Sequence, residues 1–308
     1  MEYVNCNNCG QDNAVLLNEG PDLLLNRPGS FRLVRCRNCD LIYQNPRLTL
    51  EELPLHYPDQ YEPYQRGLVE QLSWSQKQDR NNDMERRYKH VSEFAPSTGH
   101  VLDIGCATGQ FLATMADHGW QATGVELSAF AADYARKTFN LTVHQGTLES
   151  AEFADASFDV ITQWDVLEHV IDPKETLAII SRLLKPGGLY VASLPNPTAF
   201  EASLFGSSWV GWDRPRHLHL FTPRVLEHYL ERAGLKPIAL KSFSGHLAVT
   251  LLSLEFAVKA RGWSESRWRP WIRLAYIWPL RLLSLPAFRL AGALNRLSVM
   301  TMFARKAE

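Results

Sequence analysis

Hydrophobic positions change spacing repeatedly from residue 100 onward. Short runs rich in Val, Ile and Leu give way to longer stretches whose apolar residues recur every three or four positions, which are the periods of strands and helices. The predicted strands are 101–104, 122–125, 141–144, 158–163, 188–194, 235–243 and 298–304. The predicted helices between them are 110–118, 128–139, 174–184 and 223–233. This order predicts an α/β fold with a doubly wound, mostly parallel seven-stranded sheet.

The rest of the chain divides into further segments. Residues 1–48 carry two cysteine pairs and predict a small zinc-ribbon-like module. Residues 49–98 predict a helical connector, because the stretch 68–94 is polar with spaced apolar positions. The main domain is then 99–308, with 246–296 as a helical insertion before the last strand.

Composition and charge narrow the class of protein. Hydrophobic residues make up 45% and charged residues 21%, as in ordinary globular proteins. The net charge is −1, whereas nucleic-acid binders usually carry a basic excess, so we expect no nucleic-acid partner. The first residues lack the basic start and apolar run of a signal peptide, and no run of about 18 uncharged apolar residues occurs, so we expect a cytoplasmic protein.

Four of the five cysteines form two C-x-x-C pairs, Cys6/Cys9 and Cys36/Cys39. Four thiolates at this spacing suit tetrahedral zinc. A module with so little core would need the metal to fold, which predicts a structural zinc. Iron in the same ligand set and a redox pair are the alternatives.

A glycine turn follows the first strand of the α/β pattern, Asp103-Ile-Gly105-Cys106-Ala-Thr-Gly109. Glycines let the backbone approach a ligand closely, and the helix that follows offers unpaired N–H groups to a carboxylate. Glu126, which ends the second strand, could accept both hydroxyls of a ribose. The spacing G-x-x-x-G differs from the G-x-G-x-x-G of dinucleotide sites, which disfavours a nicotinamide cofactor.

These segments together resemble a known family. Residues 101–109 resemble motif I of class I S-adenosylmethionine-dependent methyltransferases, and 124–128 resembles their second cofactor segment. Residues 157–161 are similar to the family's fourth strand, and 184–190 to the approach to its fifth. The resemblance implies a Rossmann-like fold and S-adenosylmethionine as the cofactor.

The resemblance also implies a set of cofactor contacts. Asp103 and the two glycines would border the methionine part, and Glu126 would hold the ribose. Thr147 stands where the family usually has an acid near the adenine, so Leu148 and the backbone would substitute. The predicted cofactor residues are Asp103, Gly105, Cys106, Gly109, Glu126, Leu127, Leu148 and Gln163.

Polar residues also follow the fourth strand. Asp165, Glu168 and His169 would share one face of a helical turn. The segment resembles ubiquinone-biosynthesis O-methyltransferases, whose acid-x-x-Glu-His set is associated with a divalent metal; Asp165 replaces a Glu found there. This implies His169 as a general base, or a magnesium ion at these three residues. The alternative is that Glu168 and His169 only order the loop.

A second polar group, Arg214-Pro-Arg-His217-Leu-His219, follows the fifth strand. Class I methyltransferases often place a substrate lid there, and the two histidines would share a face of an extended segment. The alternative is a structural loop with one buried histidine. The predicted catalytic residues are His169, Asp165, His217 and His219.

The insertion is basic and aromatic. Residues 256–296 hold eight Lys or Arg and one acid, Glu265, together with four of the nine tryptophans. This pattern suits a helix lying on an anionic membrane surface, so we expect peripheral contact with the inner face of the membrane. A helical cap on the domain and a dimer surface are the alternatives.

A cysteine-pair module before a class I domain resembles a group of bacterial methyltransferases that includes sugar methyltransferases. We therefore predict an S-adenosylmethionine-dependent methyltransferase acting on a small-molecule, sugar or lipid-linked acceptor, by in-line O-methylation. The alternatives are a zinc-ribbon RNA methyltransferase and a non-catalytic S-adenosylmethionine-binding protein. Residues 1–48 carry five arginines and five acidic residues, and the lack of a basic excess disfavours the first of these.

Overall fold

The structure is a computed structural model, and the residues it describes are 1–57, 74–95, 98–243, 246–262, 286 and 288–308. The chain forms two compact units. The first, here called the cysteine unit, comprises Met1–His56, Leu194–Leu226 and Leu240–Thr301. The second, here called the sheet unit, comprises Tyr57–Ser193, Glu227–Ala239 and Met302–Glu308. Each unit gathers three separated stretches, whereas the predicted domains, with boundaries after residues 48 and 98, are continuous; those boundaries stay a prediction.

The elements follow the predicted order closely. The strands are β1 (Ala14–Gly20), β2 (Phe31–Cys36), β3 (Ile42–Gln44), β4 (His100–Ile104), β5 (Gln121–Glu126), β6 (Thr142–Gln145), β7 (Phe158–Trp164), β8 (Leu184–Pro195), β9 (His219–Leu220), β10 (Leu235–Lys241) and β11 (Val299–Lys306). The helices are α1 (Trp74–Ser92), α2 (Gln110–Asp117), α3 (Ala129–Phe139), α4 (Pro173–Leu183), α5 (Phe200–Phe205), α6 (Pro223–Arg232) and α7 (His246–Ala260). The first six residues of the predicted helix 68–94 lie outside the described residues.

Within the described chain, seven strands form one sheet in the order β10-β11-β8-β7-β4-β5-β6. Strand β4 pairs in parallel with both β5 and β7, and β7 pairs in parallel with β8. This confirms the predicted mostly parallel, doubly wound sheet. Because parallel strands end at the same edge of a sheet, β4, β5 and β7 bring Asp103, Glu126 and Trp164 to one edge.

Local capping sets where the helices of the sheet unit begin. The Ser128 side chain accepts the N–H of Ala131 and starts α3. Asp172 accepts the N–H groups of Lys174 and Glu175, and Pro173 occupies the first turn of α4. Side-chain caps and an N-terminal proline satisfy the free N–H groups of a first turn, so these helices begin within a residue of their predicted starts.

The cysteine unit contains a second sheet, in the order β1-β2-β3-β9, in which only β9 comes from outside the predicted N-terminal module. Strand β9 pairs antiparallel with β3, so that Ile42 faces Leu220 and Tyr43 faces His219. A hydrophobic core packs residues of the N-terminal strands together with residues of the segment after β8. Its buried members are Leu33, Ile42, Ala199, Ala202, Trp209, Trp212 and Leu220. The cysteine-bearing module thus buries its apolar face against the segment that follows β8.

Buried charges reinforce this attachment. The Arg216 guanidinium donates to both carboxylate oxygens of Asp22 at 2.8 Å, and both side chains are fully buried. Arg214 donates to the Asn18 side chain at 2.7 Å. Removing one partner of a buried ion pair costs about 3–5 kcal/mol, because the other charge is left unpaired. These arginines therefore hold the segment 214–220 onto the N-terminal strands.

Residues 263–285 and 287 of the predicted insertion 246–296 lie outside the described residues. The described start of the insertion is α7, where the Ser253 hydroxyl accepts the backbone N–H of Val210. Among the described helices, none is long and apolar enough to cross a membrane. Contact of 256–296 with a membrane surface stays a prediction.

Candidate active site

The glycine turn at the end of β4 is built so that only glycine fits at two positions. Gly105 has φ +72°, and a Cβ added there would lie 2.5 Å from the Val166 side chain. Gly109 has φ +80°, and its Cβ would lie 2.7 Å from Ala135. Both the positive φ and the lack of space exclude larger residues. The turn can therefore keep this backbone path, and pack against Val166 and Ala135, only with glycine at both positions.

Glu126 lies beside this turn and is almost completely buried. One carboxylate oxygen accepts the N–H of Ala107 at 2.9 Å, and the other accepts the N–H of Ser128 at 2.7 Å. Burial raises the pKa of Glu126, and these backbone N–H groups oppose the rise. Because each carboxylate oxygen has two lone pairs, each can accept one further hydroxyl. Glu126 thus fits the two hydroxyls of a ribose.

Asp103 is almost completely buried, with 2% of its surface exposed. Burial raises its pKa to about 7. A hydrogen bond of 2.6 Å from the Thr162 hydroxyl and the charge of Arg87 act in the opposite direction. The folded protein without ligand therefore takes up or releases a proton at Asp103 near neutral pH.

This pKa predicts a pH-dependent stability for the ligand-free protein. The folded state keeps a proton on Asp103 that the unfolded chain, with a pKa near 3.8, releases. The stabilisation is therefore complete below about pH 4 and is lost as the pH rises through 7. Between pH 5 and pH 8 the loss is about 2.5 kcal/mol.

The Asp103→Asn variant should lack this dependence while keeping an acceptor for Thr162. Urea unfolding of both proteins at pH 5 and pH 8 measures the difference. An identical change in unfolding free energy for the two proteins would show that Asp103 does not carry the effect.

Arg87, on helix α1, belongs to the site although sequence reasoning missed it. Its guanidinium lies 4.6 Å above the Trp164 ring and forms an ion pair with Asp83 at 3.2 Å. The indole N–H of Trp164 is buried and has no hydrogen-bond partner among the described residues. A guanidinium held in this way suits a carboxylate ligand. The i, i+4 spacing of Asp83 and Arg87 was visible in the sequence, but the contact with Trp164 was not.

The segment after β7 places the predicted polar residues in different environments. Asp165 is exposed and has a left-handed backbone with φ +58°. The helical turn covers only Leu167–His169, so Asp165 precedes it. Glu168 is fully buried, and the Nδ1 atom of half-buried His169 lies 2.8 Å from the Tyr57 hydroxyl. A magnesium ion at Asp165, Glu168 and His169 stays a prediction.

The remaining predicted cofactor residues lie in the sheet unit around the same edge. Leu148 and Cys106 are buried, whereas Leu127 is 68% exposed. Gln163 is buried, and its side-chain oxygen accepts the Tyr190 hydroxyl at 2.5 Å. The exposed side chain of Leu127, directly after Glu126, offers an apolar surface that a flat ring such as adenine could cover.

His217 and His219 lie in the cysteine unit and are both buried. The Nδ1 atom of His217 lies 2.8 Å from the backbone oxygen of Gly211, so this nitrogen donates a hydrogen bond. His219 belongs to β9, opposite Tyr43. Within this unit both histidines have structural contacts, and a role in catalysis stays a prediction for each.

The four paired cysteines converge at one end of the cysteine unit. Their sulfur atoms all lie within 4.8 Å of one another, and all four thiols are free of disulfides. The distances are 3.4 Å for Cys6–Cys39 and 3.5 Å for Cys9–Cys36. Tetrahedral zinc with bonds of about 2.3 Å separates its sulfur ligands by about 3.8 Å, so the cluster fits zinc.

Comparisons with known proteins agree with this geometry. A family model described as a methyltransferase domain matches residues 76–240. A ubiquinone biosynthesis O-methyltransferase from Ruegeria sp. (strain TM1040) is 34% identical over 161 residues, covering 48% of this chain and 65% of that protein. Another from Aromatoleum aromaticum is 34% identical over 169 residues, covering 50% and 71%. The chain thus spans just under two thirds of the length of the Ruegeria relative.

Among solved structures, a candidate sarcosine dimethylglycine methyltransferase from Galdieria sulphuraria superimposes with a TM-score of 0.50 at 16% identity, covering 80% of this chain and 91% of that one. At this identity the likeness concerns the fold alone. The family match covers more than half of the chain and includes the glycine turn, Glu126 and the segment after β7. The chain therefore belongs to the methyltransferase-domain family.

Proposed function

We propose that the protein transfers a methyl group from S-adenosylmethionine to a hydroxyl group of a small-molecule, sugar or lipid-linked acceptor. The observation that carries this proposal is the position of His169, half-buried in the helical turn after β7, with one ring nitrogen bonded to Tyr57. The relatives named as O-methyltransferases support a hydroxyl acceptor. Because the chain spans only part of the Ruegeria relative, the acceptor itself belongs to the proposal.

The cofactor supplies an activated methyl group, and the residues of the sheet unit hold it. In the proposal Glu126 binds the ribose hydroxyls, and Asp103 with the glycine turn borders the methionine part. Arg87 pairs with the cofactor carboxylate, because its guanidinium is fixed on Trp164. Leu127 and Leu148 contact the adenine.

A hydroxyl acceptor must lose its proton as it attacks. In the proposal His169 takes this proton while the acceptor oxygen bonds to the methyl carbon and the carbon–sulfur bond breaks, leaving S-adenosylhomocysteine. A positioned general base contributes about 10²- to 10⁴-fold to such a step. The alignment of oxygen, carbon and sulfur supplies the rest of the acceleration.

The test is a transfer assay with methyl-labelled S-adenosylmethionine. The probes are 3,4-dihydroxybenzoate for a phenol, methyl glucoside for a sugar alcohol and total transfer RNA for the rival substrate class. We expect label in one of the first two, and an about 10²- to 10⁴-fold lower kcat for His169→Gln with unchanged cofactor affinity. The control is His100→Gln, which alters an exposed histidine at the start of β4.

Each other outcome rejects a stated part of the proposal. Label in transfer RNA alone would make the protein an RNA methyltransferase. Tight cofactor binding without transfer to any probe would favour a non-catalytic binding protein. A His169→Gln variant with unaltered kcat would remove His169 from the chemistry.

A further inference from the structure

We infer that Tyr57 is a positioning residue that holds His169 in the tautomer whose Nε2 atom accepts the acceptor's proton. The inference rests on the proposed role of His169. The Tyr57 hydroxyl lies 2.8 Å from Nδ1 of His169. The two rings meet nearly edge to face, with centroids 6.1 Å apart and planes at 70°. Both residues belong to the sheet unit, although 112 positions separate them in the sequence.

The backbone around His169 fixes the position from which its ring contacts Tyr57. His169 ends the short turn Leu167–His169, and its own N–H donates to the Val166 carbonyl at 3.0 Å. Tyr57 directly follows the helical turn Leu53–His56. The turn thus fixes the Cα atom of His169, and the Tyr57 hydroxyl fixes the rotation of its ring. Both side chains are half-buried, which shields this hydrogen bond from water in part.

The direction of this hydrogen bond determines which nitrogen of His169 can act as a base. If the Tyr57 hydroxyl donated to Nδ1, the single ring proton would sit on Nε2, which could then accept nothing. If Nδ1–H donates to the Tyr57 oxygen, Nε2 keeps its lone pair and can act as a base. Once Nε2 has taken a proton, Nδ1–H still donates to the same oxygen. Proton transfer then needs no rotation of the ring, so the second arrangement is the one that the proposed base role requires.

The same bond limits what else His169 can do. With Nδ1 committed to Tyr57, a proton or a metal ion at His169 must use Nε2. The general-base role and the predicted magnesium site therefore compete for one atom. A tautomer set by Tyr57 is compatible with both roles. Only the general-base role makes kcat depend on the Tyr57 hydroxyl without any change in metal content.

The chain offers a matched control in another tyrosine–histidine contact. Tyr88 on α1 stacks flat on His118, with ring centroids 3.7 Å apart and planes at 3°. The His118 Nε2 atom pairs with Glu85, and no hydrogen bond of the Tyr88 hydroxyl is found in the described part of the chain. Tyr88→Phe therefore removes the same atom beside a histidine without removing a bond to the imidazole.

The experiment combines histidine ¹⁵N chemical shifts with kinetics on the full chain bound to S-adenosylhomocysteine or turning over S-adenosylmethionine. In the unaltered protein we expect His169, assigned from the His169→Gln spectrum, to be protonated at Nδ1 and bare at Nε2. Tyr57→Phe should move it towards the Nε2–H tautomer. With 3,4-dihydroxybenzoate as probe, kcat should fall about 10- to 100-fold while KM for the cofactor stays constant. Tyr88→Phe should leave both readouts unchanged.

Two results overturn the inference: a His169 that carries its proton on Nε2 in the unaltered protein, or a Tyr57→Phe variant whose kcat stays within about twofold. The spectrum of the unaltered protein needs no variant, so a poorly folded Tyr57→Phe cannot leave the question open. If His169→Gln retains full kcat, the proposed base role fails, and the chemical shifts still report separately whether Tyr57 sets the tautomer.

Discussion

We expect the Glu126→Ala variant to bind S-adenosylmethionine at least about a hundredfold more weakly than the unaltered protein. The Glu126 carboxylate already orders the glycine turn through the N–H of Ala107 and the start of α3 through the N–H of Ser128. Its remaining lone pairs are the proposed acceptors for the ribose. A hydrogen bond to a charged group contributes about 1.5–3 kcal/mol, so losing two of them corresponds to about 10²- to 10⁴-fold in affinity.

Isothermal titration calorimetry with S-adenosylmethionine and S-adenosylhomocysteine measures this loss directly. Glu149→Ala serves as the control, because Glu149 is an exposed acid in the turn after β6. Thermal unfolding of both variants shows how much of the effect comes from a disordered turn. A dissociation constant for Glu126→Ala within threefold of the unaltered protein would remove this residue from the cofactor site.

The second large effect should follow from Cys36→Ser, which we expect to abolish zinc binding and unfold the cysteine unit's sheet. Cys36 is fully buried at the end of β2, and its N–H donates to the Leu41 carbonyl at 2.9 Å to close the knuckle. Zinc binding to small cysteine modules contributes about 10–16 kcal/mol, whereas a whole domain is stable by about 5–15 kcal/mol. Three remaining thiolates cannot complete the tetrahedral site.

Metal analysis should find about one zinc per unaltered chain and almost none in the variant. Hydrogen exchange should lose protection at the β3–β9 pairing, where Ile42 faces Leu220. Cys106→Ser is the matched control, because it makes the same atomic change outside the cluster and should retain zinc. An unaltered protein that is folded and free of metal would refute the zinc site.

The sequence predicted the large sheet well because its strands are buried on both faces. Such strands appear in the sequence as nearly continuous apolar runs. The predicted bounds of β4 and β7 therefore lie within one residue of the observed ones. Strand β9 has only two residues, His219 and Leu220, and two residues carry no periodicity. It becomes a strand only because Ile42 and Tyr43 offer an edge for it to pair with.

The same limit applies to charged side chains. The group Arg214-Pro-Arg216 suggested substrate contact because it follows the fifth strand, where class I methyltransferases often place a substrate lid. In the structure Arg216 pairs with its sequence neighbour Asp213 and also with Asp22, which lies 194 positions away. A buried guanidinium needs a fixed partner, whereas an exposed one does not. Burial therefore explains these arginines as structural residues.

The active-site residues divide in the same way. The glycine turn and His169 could be found because each belongs to a motif of a few neighbouring positions. Arg87 and Tyr57 carry no motif. Their importance comes from Trp164 and His169, which reach them only after the chain has folded.

By itself, the sequence determined the α/β alternation, the cofactor turn and the cysteine ligand set. Each depends on groups within one element or one turn, where covalent geometry keeps neighbours together whatever the rest of the chain does. Only the tertiary structure decided that the cysteine module takes β9 as its fourth strand, that Arg216 meets Asp22, and that Tyr57 meets His169. These contacts join distant segments, and they form because burying apolar surface brings together side chains that no local spacing connects.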